Sequence, residues 1–298
     1  MKIERQPRTD QPKEYPSDMR ITMAIPHKDI VHGIPGISLM TLRKFEEMAE
    51  TTAKAGYEVF INTEAQTSNT PITRTRIVEQ FKGDWLLMMD ADAFPEAEVA
   101  NRLLMAAKED ENNLRYIVAA PAVRPSYPHW ACFGTITDSG LMVPWRYGIE
   151  FGDDEVDAVD TCAKKVDGTG FHCVLIHRDV FNAVGFPWFT LNVPDPDTGV
   201  IYGHDYTFCR AAKRAGFDTY IDFSARVGHY GIFPYTLANN RAIVQGNPQE
   251  AEKQRQLSID TEAVLDEDAG TDPDYVLNYK QRLKKDQEVI QIPKEALE

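Results

Sequence analysis

The chain has 298 residues, of which 43% are hydrophobic, so it is long enough for one large core or for a core and a smaller appendage. Its formal net charge of −14 argues against binding to a nucleic-acid backbone or an anionic membrane, because Lys and Arg are needed to displace counterions from phosphates. No apolar run reaches the roughly 18 residues that span a bilayer, and the polar N-terminus lacks a signal-peptide core. We therefore expect a cytoplasmic protein without a transmembrane segment.

The first half of the chain alternates predicted strands and helices. Residues 1–18 carry three prolines and many charges and predict a flexible lead-in, so the fold is expected to start at Met19. The predicted elements that follow are a strand at 20–26, a helix at 37–55, a strand at 57–62 and a helix at 72–81. Alternation at this spacing is typical of right-handed crossovers and predicts an α/β fold with a mostly parallel, Rossmann-like sheet flanked by helices.

The next predicted strand carries the strongest chemical signal. Five apolar residues, Trp85 to Met89, predict an interior strand that is buried on both faces, and Asp90 and Asp92 follow where it emerges. Ligands of open α/β sheets bind at such strand ends, and two carboxylates that point the same way along an extended chain suit Mg²⁺ or Mn²⁺. Capping of the next helix is the alternative, because Pro95 opens a predicted helix over 95–108.

The second half of the chain is less regular. A strand at 116–120 precedes a stretch, 121–166, that reads as aromatic-rich loops. The predicted elements after it are a Gly-Thr-Gly turn at 168–170, a strand at 171–176, a helix at 178–184, a loop at 185–203, a helix from 204 that ends at Gly216, and a strand at 219–223. His229 follows that last strand, and residues 236–298 predict an acidic, mainly helical extension.

The cysteines do not indicate a disulfide framework or a regular zinc site. No two of them have Cys-x-x-Cys spacing, so reduced thiols are expected. A zinc cluster at irregular spacing is the alternative, and its members would be Cys162, His172, Cys173 and His177.

The order of these motifs resembles that of nucleotide-sugar-dependent glycosyltransferases of the A-type fold, especially family 2 and its phage and bacterial relatives. The resemblance covers 19–231 and includes the Asp-x-Asp strand, the Gly-Thr-Gly unit, an acidic residue that opens an amphipathic helix, and the downstream histidine. It implies one catalytic domain over 19–235 that uses Mn²⁺ or Mg²⁺, a nucleotide-diphosphate sugar as donor and a hydroxyl-bearing acceptor. If the chain is phage-encoded, the expected location is the host cytoplasm. A homo-oligomer is compatible with this expectation.

The resemblance also implies roles for individual residues. Asp92 would be a metal ligand, Asp90 would contact the donor ribose or the metal, and His229 would complete the metal site, although an ordinary buried histidine is an alternative for His229. Asp205 would be the general base of an inverting reaction, and a helix N-cap is its structural alternative. His204 stands where the family usually has a glutamate, which is a departure from the pattern.

Donor and acceptor contacts are assigned more loosely. Donor-binding candidates lie at the ends of the first two strands and on the following helix, where the two arginines would suit phosphate oxygens or else a solvated face: Pro26, His27, Glu64, Arg74 and Arg76. Acceptor-binding candidates are mainly aromatic, because flat rings stack on sugars: Gly170, Trp130, Trp188, Phe189, Tyr202 and His204.

Three other functions remain open at this point. A retaining transferase would use the same fold and metal site. A sugar nucleotidyltransferase would also use a divalent cation that is bound by the two aspartates. It needs, however, a basic, glycine-rich loop after the first strand, and residues 25–36 contain only Lys28 and two glycines. A non-catalytic sugar-binding or assembly module would use the acidic tail to recruit a partner.

Overall fold

A computed structural model describes residues 16–28, 39–62, 65–66, 70–109, 114–124, 130–230 and 234–235. Glu64, most of the predicted lead-in and the whole predicted C-terminal extension lie outside these residues, so the predicted boundaries at 18 and 235 stay predictions. Across the described ranges, every helix is too short or too polar to cross a membrane.

The described residues form six helices, fifteen strands and a short 3₁₀ turn at Ser17–Met19. The helices are α1 (Leu39–Lys54), α2 (Thr70–Gln80), α3 (Val99–Ala107), α4 (Asp153–Val156), α5 (Arg178–Val184) and α6 (His204–Arg214). The strands are β1 (Arg20–Ala24), β2 (His27–Lys28), β3 (Glu58–Asn62), β4 (Ala65–Gln66), β5 (Trp85–Met89), β6 (Ala93–Pro95), β7 (Ile117–Ala119), β8 (Phe133–Ile136), β9 (Met142–Pro144), β10 (Ala163–Val166), β11 (Gly168–Thr169), β12 (Cys173–His177), β13 (Thr219–Asp222), β14 (Val227–Tyr230) and β15 (Pro234–Tyr235).

Among the described residues, the central sheet has seven strands in the order β10-β13-β7-β12-β5-β1-β3. Strands β1, β3 and β5 pair in parallel, and β7 and β13 also pair in parallel. Strand β12 lies between β5 and β7 and is antiparallel to both, and β10 is antiparallel to β13. Five strands therefore run in one direction and two in the other, so the predicted α/β fold is confirmed with a mixed sheet.

Strand β5 shows why the sheet is buried on both faces. Leu86 and Met88 belong to one hydrophobic cluster, and Trp85, Leu87 and Met89 belong to the other. Successive side chains of a strand point to opposite faces of the sheet. An uninterrupted apolar run therefore contributes side chains to the hydrophobic clusters on both faces. Helices α1 and α3 cover one face of the sheet, and α2, α5 and α6 cover the other.

Two predictions about local structure were wrong. Pro95 does not open a helix but ends β6, and α3 begins at Val99. The extended conformation of Pro95 is used in pairing with Val227 of β14, a tertiary contact that overrides the local helix-start signal. The stretch at 121–166 is also more regular than predicted, because it contains β8, β9, β10 and α4.

The small sheet β15-β14-β6 carries the predicted histidine to the end of β5. His229 lies inside β14 rather than after a strand, and its register partner is Ala93. Since Ala93 directly follows Asp92, this antiparallel pairing brings residues that are 137 positions apart in sequence into contact.

Candidate active site

Asp90 and Asp92 follow β5 through a tight turn, and they face different partners. The N–H of Asp90 donates to the carbonyl of His172 (2.9 Å), and the N–H of Ala93 donates back to the carbonyl of Asp90 (3.1 Å). The carboxylate of Asp90 accepts from Arg74, whereas that of Asp92 contacts His229. The prediction that both side chains point the same way along an extended chain was therefore wrong, because the turn separates them.

Two imidazoles and one carboxylate come together at this end of the sheet. Within the described part of the chain, the group of His, Cys, Asp or Glu side chains that could hold a metal ion is Asp92, His172 and His229, whose donor atoms all lie within 4.8 Å of one another. Asp90 does not belong to that group, and His172 is the one member of the alternative zinc cluster that does. His172 is thus a candidate ligand that the sequence assigned only to the zinc alternative.

The far nitrogen of each imidazole is held by a backbone carbonyl. Nε2 of His172 lies 3.0 Å from the carbonyl oxygen of Gly228, and Nδ1 of His229 lies 3.1 Å from that of Val123. A carbonyl only accepts, so these nitrogens carry hydrogens, and in the neutral rings the near nitrogens present lone pairs. This orientation of ligating histidines by outer hydrogen bonds is typical of metal sites.

The near nitrogens have no protein donor to satisfy them. Nδ1 of His172 is buried without a hydrogen-bond partner, although the ring is only 3% exposed and the carboxylate of Asp90 is 3.9 Å away. Nε2 of His229 lies 3.1 Å from Asp92 Oδ2. Lone pairs that converge on carboxylate oxygens favour a positive charge between them, either a proton or a cation.

The electrostatics of the three groups follow from their positions. Burial, and then the neighbouring His229, lower the pKa of His172, which favours the neutral ring. Burial also disfavours the charged form of His229, but the hydrogen bond to Asp92 outweighs it and raises the pKa. For Asp92, burial acts to raise the pKa and the pairing with His229 outweighs it, so the pKa is lowered.

Arg74 of α2 connects this group to the acceptor side. Its guanidinium is 2% exposed, although the sequence allowed a solvated face. Nη2 donates to Asp90 Oδ1 (2.7 Å) and to the carbonyl of Phe171 (3.2 Å), and Nη1 donates to Asp205 Oδ1. The guanidinium carbon also lies 5.3 Å from the centre of the Phe171 ring. One buried cation therefore joins two carboxylates that approach it from different elements.

Asp205 and His204 open helix α6 beside Arg74. Oδ1 of Asp205 accepts from Arg74 and lies 2.9 Å from Nε2 of His204, while Oδ2 accepts from the N–H of Phe171 (3.2 Å). Burial would raise the pKa of Asp205, but Arg74 and His204 outweigh it and lower the pKa to about 2. His204 Nε2 is also 2.6 Å from Arg74 Nη1.

The predicted residues thus form one continuous line of contacts. It runs from Asp92 through His229 and His172 to Asp90, and from there through Arg74 to Asp205 and His204. Gly170 lies at this line as well, since a Cβ built on it would be 4.0 Å from Asp205 Oδ2.

The other predicted contacts are spread more widely. Pro26 is buried at the end of β1, His27 lies in β2, and Arg76 is exposed on α2. Phe189 is only 5% exposed, stacks on Phe208 and lies edge-on to His204. Its acceptor role stays a prediction, and in this conformation the ring is part of the core.

The three remaining aromatic candidates are partly buried. The indole N–H of Trp188 donates to the carbonyl of Phe181 (2.8 Å), and the hydroxyl of Tyr202 donates to that of Gly140 (2.6 Å). The carbonyl of Trp130 accepts from the N–H of Arg124 (2.8 Å). Their acceptor roles stay predictions.

Comparison with known proteins gives distant similarities in structure. No protein-family profile and no curated protein sequence matches the chain. Among solved structures, A197 from STIV has 17% identity and a TM-score of 0.44, over 72% of this chain and 86% of that one. GalNAc-T7, in a structure with UDP, GalNAc and Mn²⁺, has 12% identity and a TM-score of 0.45, over 70% of this chain and 42% of that one.

The catalytic domain of Drosophila beta1,4-galactosyltransferase 7, in complex with xylobiose, has 12% identity and a TM-score of 0.38, over 71% of each chain. At these identities and TM-scores, the likeness assigns neither an activity nor a substrate to this chain.

Proposed function

We propose that this protein is a metal-dependent glycosyltransferase that moves a sugar from a nucleotide-diphosphate donor to a hydroxyl acceptor. The observation that carries the proposal is the buried, unpartnered Nδ1 of His172, which faces Asp92 and His229 at the end of β5. A buried polar atom without a hydrogen-bond partner costs free energy, and a bound cation at this position would remove that cost. The end of a parallel strand at the centre of an α/β sheet is where such folds bind ligands.

The residues present fit a divalent cation. Asp92, His172 and His229 would hold it, and the carbonyls of Gly228 and Val123 orient the two rings. Two nitrogen donors favour Mn²⁺ over Mg²⁺, because Mg²⁺ prefers oxygen ligands in a near-ideal octahedron. When bound, the cation would neutralise the charge that develops on the departing nucleotide diphosphate.

The protein's own charges divide the site into a donor side and an acceptor side. Asp90 lies between His172 and Arg74, which suits an acceptor of hydrogen bonds from the donor ribose. Arg74, with both carboxylates bound to it, holds the two sides together rather than reaching a phosphate. On the acceptor side, an inverting displacement needs a base next to the acceptor hydroxyl, and the pair Asp205 and His204 is the titratable group at that position.

Other candidate contacts follow from the same division. Pro26, His27 and Arg76 remain proposed donor contacts near the ends of β1 and α2. Trp130, Trp188 and Tyr202 remain proposed acceptor contacts, together with Gly170, whose missing side chain leaves room next to Asp205. The cytoplasm remains the proposed location.

A second candidate function is that of an Fe²⁺-dependent oxygenase, because two imidazoles and one carboxylate are also the ligands of Fe²⁺ in such enzymes. An oxygenase would leave the adjacent Asp90, Arg74 and Asp205 without a role, whereas the proposed transferase uses them on its donor and acceptor sides. A titration with Mn²⁺, Mg²⁺, Zn²⁺ and Fe²⁺ in turn would show which ion the site prefers.

A donor screen tests the proposal. The protein would be heated with UDP-glucose, UDP-galactose, their N-acetylated amino-sugar analogues or GDP-mannose, with and without Mn²⁺, and release of UDP or GDP would be measured in parallel. We expect at least one donor to raise the melting temperature in a Mn²⁺-dependent way, because a ligand that binds only the native state stabilises it. No shift and no nucleotide release with any donor would reject the proposal.

Two variants sharpen the screen. Asp92→Asn should abolish both the Mn²⁺-dependent shift and nucleotide release. His177→Asn is the matched control, because it removes a histidine at the opposite end of β12, while asparagine still caps α5 as His177 does. It should leave both readouts unchanged.

A further inference from the structure

We propose that Arg124 binds the diphosphate of the donor from a short two-stranded ladder that lies between the candidate metal ligands and Asp205. This inference rests on the proposed glycosyltransferase function, and it assigns the protein cation that holds the phosphates beside the metal. Arg124 is not among the residues that the sequence predicted for donor binding.

A short antiparallel ladder, which we call the bridging ladder, is formed by residues 122–124 and 130–132. Val123 and Ala131 are its register partners, and the N–H of Arg124 donates to the carbonyl of Trp130 (2.8 Å). Successive side chains of an extended segment point to opposite faces, so Arg124 and Trp130 share the face opposite to that of Val123 and Ala131. The side chains of Val123 and Ala131 are buried, whereas Arg124 is exposed.

Cys132 lies on the same face as Arg124 and shows where this face is relative to the site. The N–H of Cys132 donates to the carbonyl of Ala122 (2.8 Å), so the two residues are opposite each other and Cys132 is a diagonal neighbour of Arg124. A Cβ built on Gly170 would be 3.4 Å from Cβ of Cys132 and 4.0 Å from Asp205 Oδ2. The face that carries Arg124 therefore borders the acceptor side of the site.

The bridging ladder is attached to both sides of the site through its carbonyls. The carbonyl of Val123 accepts from Nδ1 of His229 (3.1 Å). The carbonyl of Cys132 accepts from the N–H of Gly170 (2.6 Å) and from the hydroxyl of Tyr206 (3.0 Å). Arg124 directly follows Val123, so it is held beside the residue that orients a candidate metal ligand. A donor whose diphosphate shares the cation of His229 would therefore bring its phosphates to the guanidinium.

Two side chains next to the site interact with the charge of Arg124. Burial raises the pKa of the Cys132 thiol to about 11, Arg124 acts against this increase, and the three aspartates of the site add to it. Burial also raises the pKa of the Tyr206 hydroxyl, and Arg124 again acts in the opposite direction. The guanidinium is thus close to a thiol that also interacts with the carboxylates of the candidate site.

The charges of the site favour a cation at this place. Three carboxylates, those of Asp90, Asp92 and Asp205, face one guanidinium, so negative charge exceeds positive charge until a divalent cation binds. The phosphates of a donor then add negative charge, which a guanidinium fork can bind. Arg74 is 2% exposed and is held by two carboxylates, so it cannot turn to the phosphates. Arg124 is exposed and can supply this charge.

Binding of diphosphates tests the assignment without turnover. Calorimetry in the presence of Mn²⁺ would measure the affinity of the wild type and of Arg124→Gln for UDP, GDP and inorganic pyrophosphate. We expect Arg124→Gln to bind the diphosphates that the wild type binds about tenfold or more weakly, because charge-assisted hydrogen bonds to phosphate are lost. Its affinity for Mn²⁺ alone should equal that of the wild type. Arg124→Lys should keep part of the affinity, because lysine retains the charge without the fork.

Lys54→Gln is the matched control for the loss of one positive charge. Lys54 is exposed at the end of α1, just before β3, and therefore lies at the edge of the sheet opposite to the site. This variant should bind diphosphates as the wild type does. An equal loss in both variants would mean that Arg124 acts only through net charge, and a loss of affinity for Mn²⁺ alone in Arg124→Gln would mean that it acts on the metal ligands. Either result would overturn the assignment.

The two levels of the proposal fail differently. If the wild type cleaves a donor but Arg124→Gln binds UDP and GDP as tightly as the wild type does, only the assignment of Arg124 is wrong. If the wild type cleaves no donor but its Mn²⁺-dependent binding of inorganic pyrophosphate requires Arg124, the glycosyltransferase function is wrong and the phosphate site stands. A wild-type protein that binds none of the three diphosphates would reject both.

Discussion

The rings of His172 and His229 lie with their centroids 4.2 Å apart and their planes inclined by 31°. His172 precedes β12 in the central sheet, and His229 lies in β14 of a separate small sheet. Each ring is fixed by a carbonyl on its far nitrogen, so both near nitrogens converge on the side of Asp92. Two sheets therefore contribute one ligand each to the candidate metal site, and the third follows β5.

This arrangement predicts that either histidine is needed for metal binding. His172→Ala and His229→Ala should each weaken Mn²⁺ binding by at least about tenfold, because loss even of an outer hydrogen bond to a ligand has that effect. Isothermal titration calorimetry with Mn²⁺ alone measures this without any substrate. His177→Asn should bind Mn²⁺ as the wild type does, and equal affinity in His172→Ala would remove His172 from the site.

The pKa directions at this site predict how metal affinity depends on pH. The pKa of His229 is raised by Asp92, so in the absence of metal the imidazole holds a proton to higher pH than usual. Mn²⁺ must displace that proton, so its affinity should increase with pH until His229 is neutral and then level off. His172, whose pKa is lowered, is already neutral in this range.

Proton release measures the same linkage directly. Titrations of Mn²⁺ at one pH, in two buffers with different ionisation enthalpies, should show release of a proton below the plateau and none above it. An affinity that does not change with pH would contradict the assignment of His229 as a ligand.

The sequence was sufficient to predict the centre of this fold. The apolar run Trp85 to Met89 predicts β5, because a strand that is buried on both faces is apolar at every position. Helix α6 was predicted with its start at His204, and the aspartate that it carries lies at the site. Local sequence patterns predict β5 and α6 because the apolar residues of each element determine which of its faces is buried.

The sequence was insufficient where distant pairings decide the outcome. The run Cys173 to Ile176 is apolar whether its strand pairs in parallel or antiparallel, and only the antiparallel pairing places His172 beside Asp90. Arg74 is buried against the usual preference of arginine, because two carboxylates from other elements surround it. If the direction of β12 had been known, the sequence would have indicated His172 as a candidate metal ligand.

Arg74 should be essential for stability as well as for the site. Arg74→Met removes a buried cation and leaves Asp90 and Asp205 without their shared partner, which we expect to cost about 3–5 kcal/mol in the free energy of unfolding. Urea denaturation measures this change. Arg76→Gln, at an exposed position on the same helix, is the matched control and should change the stability by less than about 1 kcal/mol. A small effect of Arg74→Met would mean that the ion pairs contribute little net stability.

The pKa of Asp205 predicts a specific acid dependence of stability. Contacts with Arg74 and His204 lower it from 3.8 to about 2 in the folded protein. A group with a lowered pKa stabilises the fold above its unfolded-state pKa, and this contribution disappears as the pH falls through the folded-state value. For Asp205 it is on the order of 2 kcal/mol, present above about pH 4 and lost toward about pH 2.

Comparison with Asp205→Asn isolates this contribution from those of other carboxylates. The free energy of unfolding, measured by urea denaturation from pH 7 downward, should be higher for the wild type at neutral pH. The difference between the two proteins should shrink as the pH falls below about 4, because the wild-type carboxylate becomes protonated and loses its attraction to Arg74. A difference that stays constant down to the lowest pH at which both proteins fold would show that Asp205 is not held ionised by Arg74.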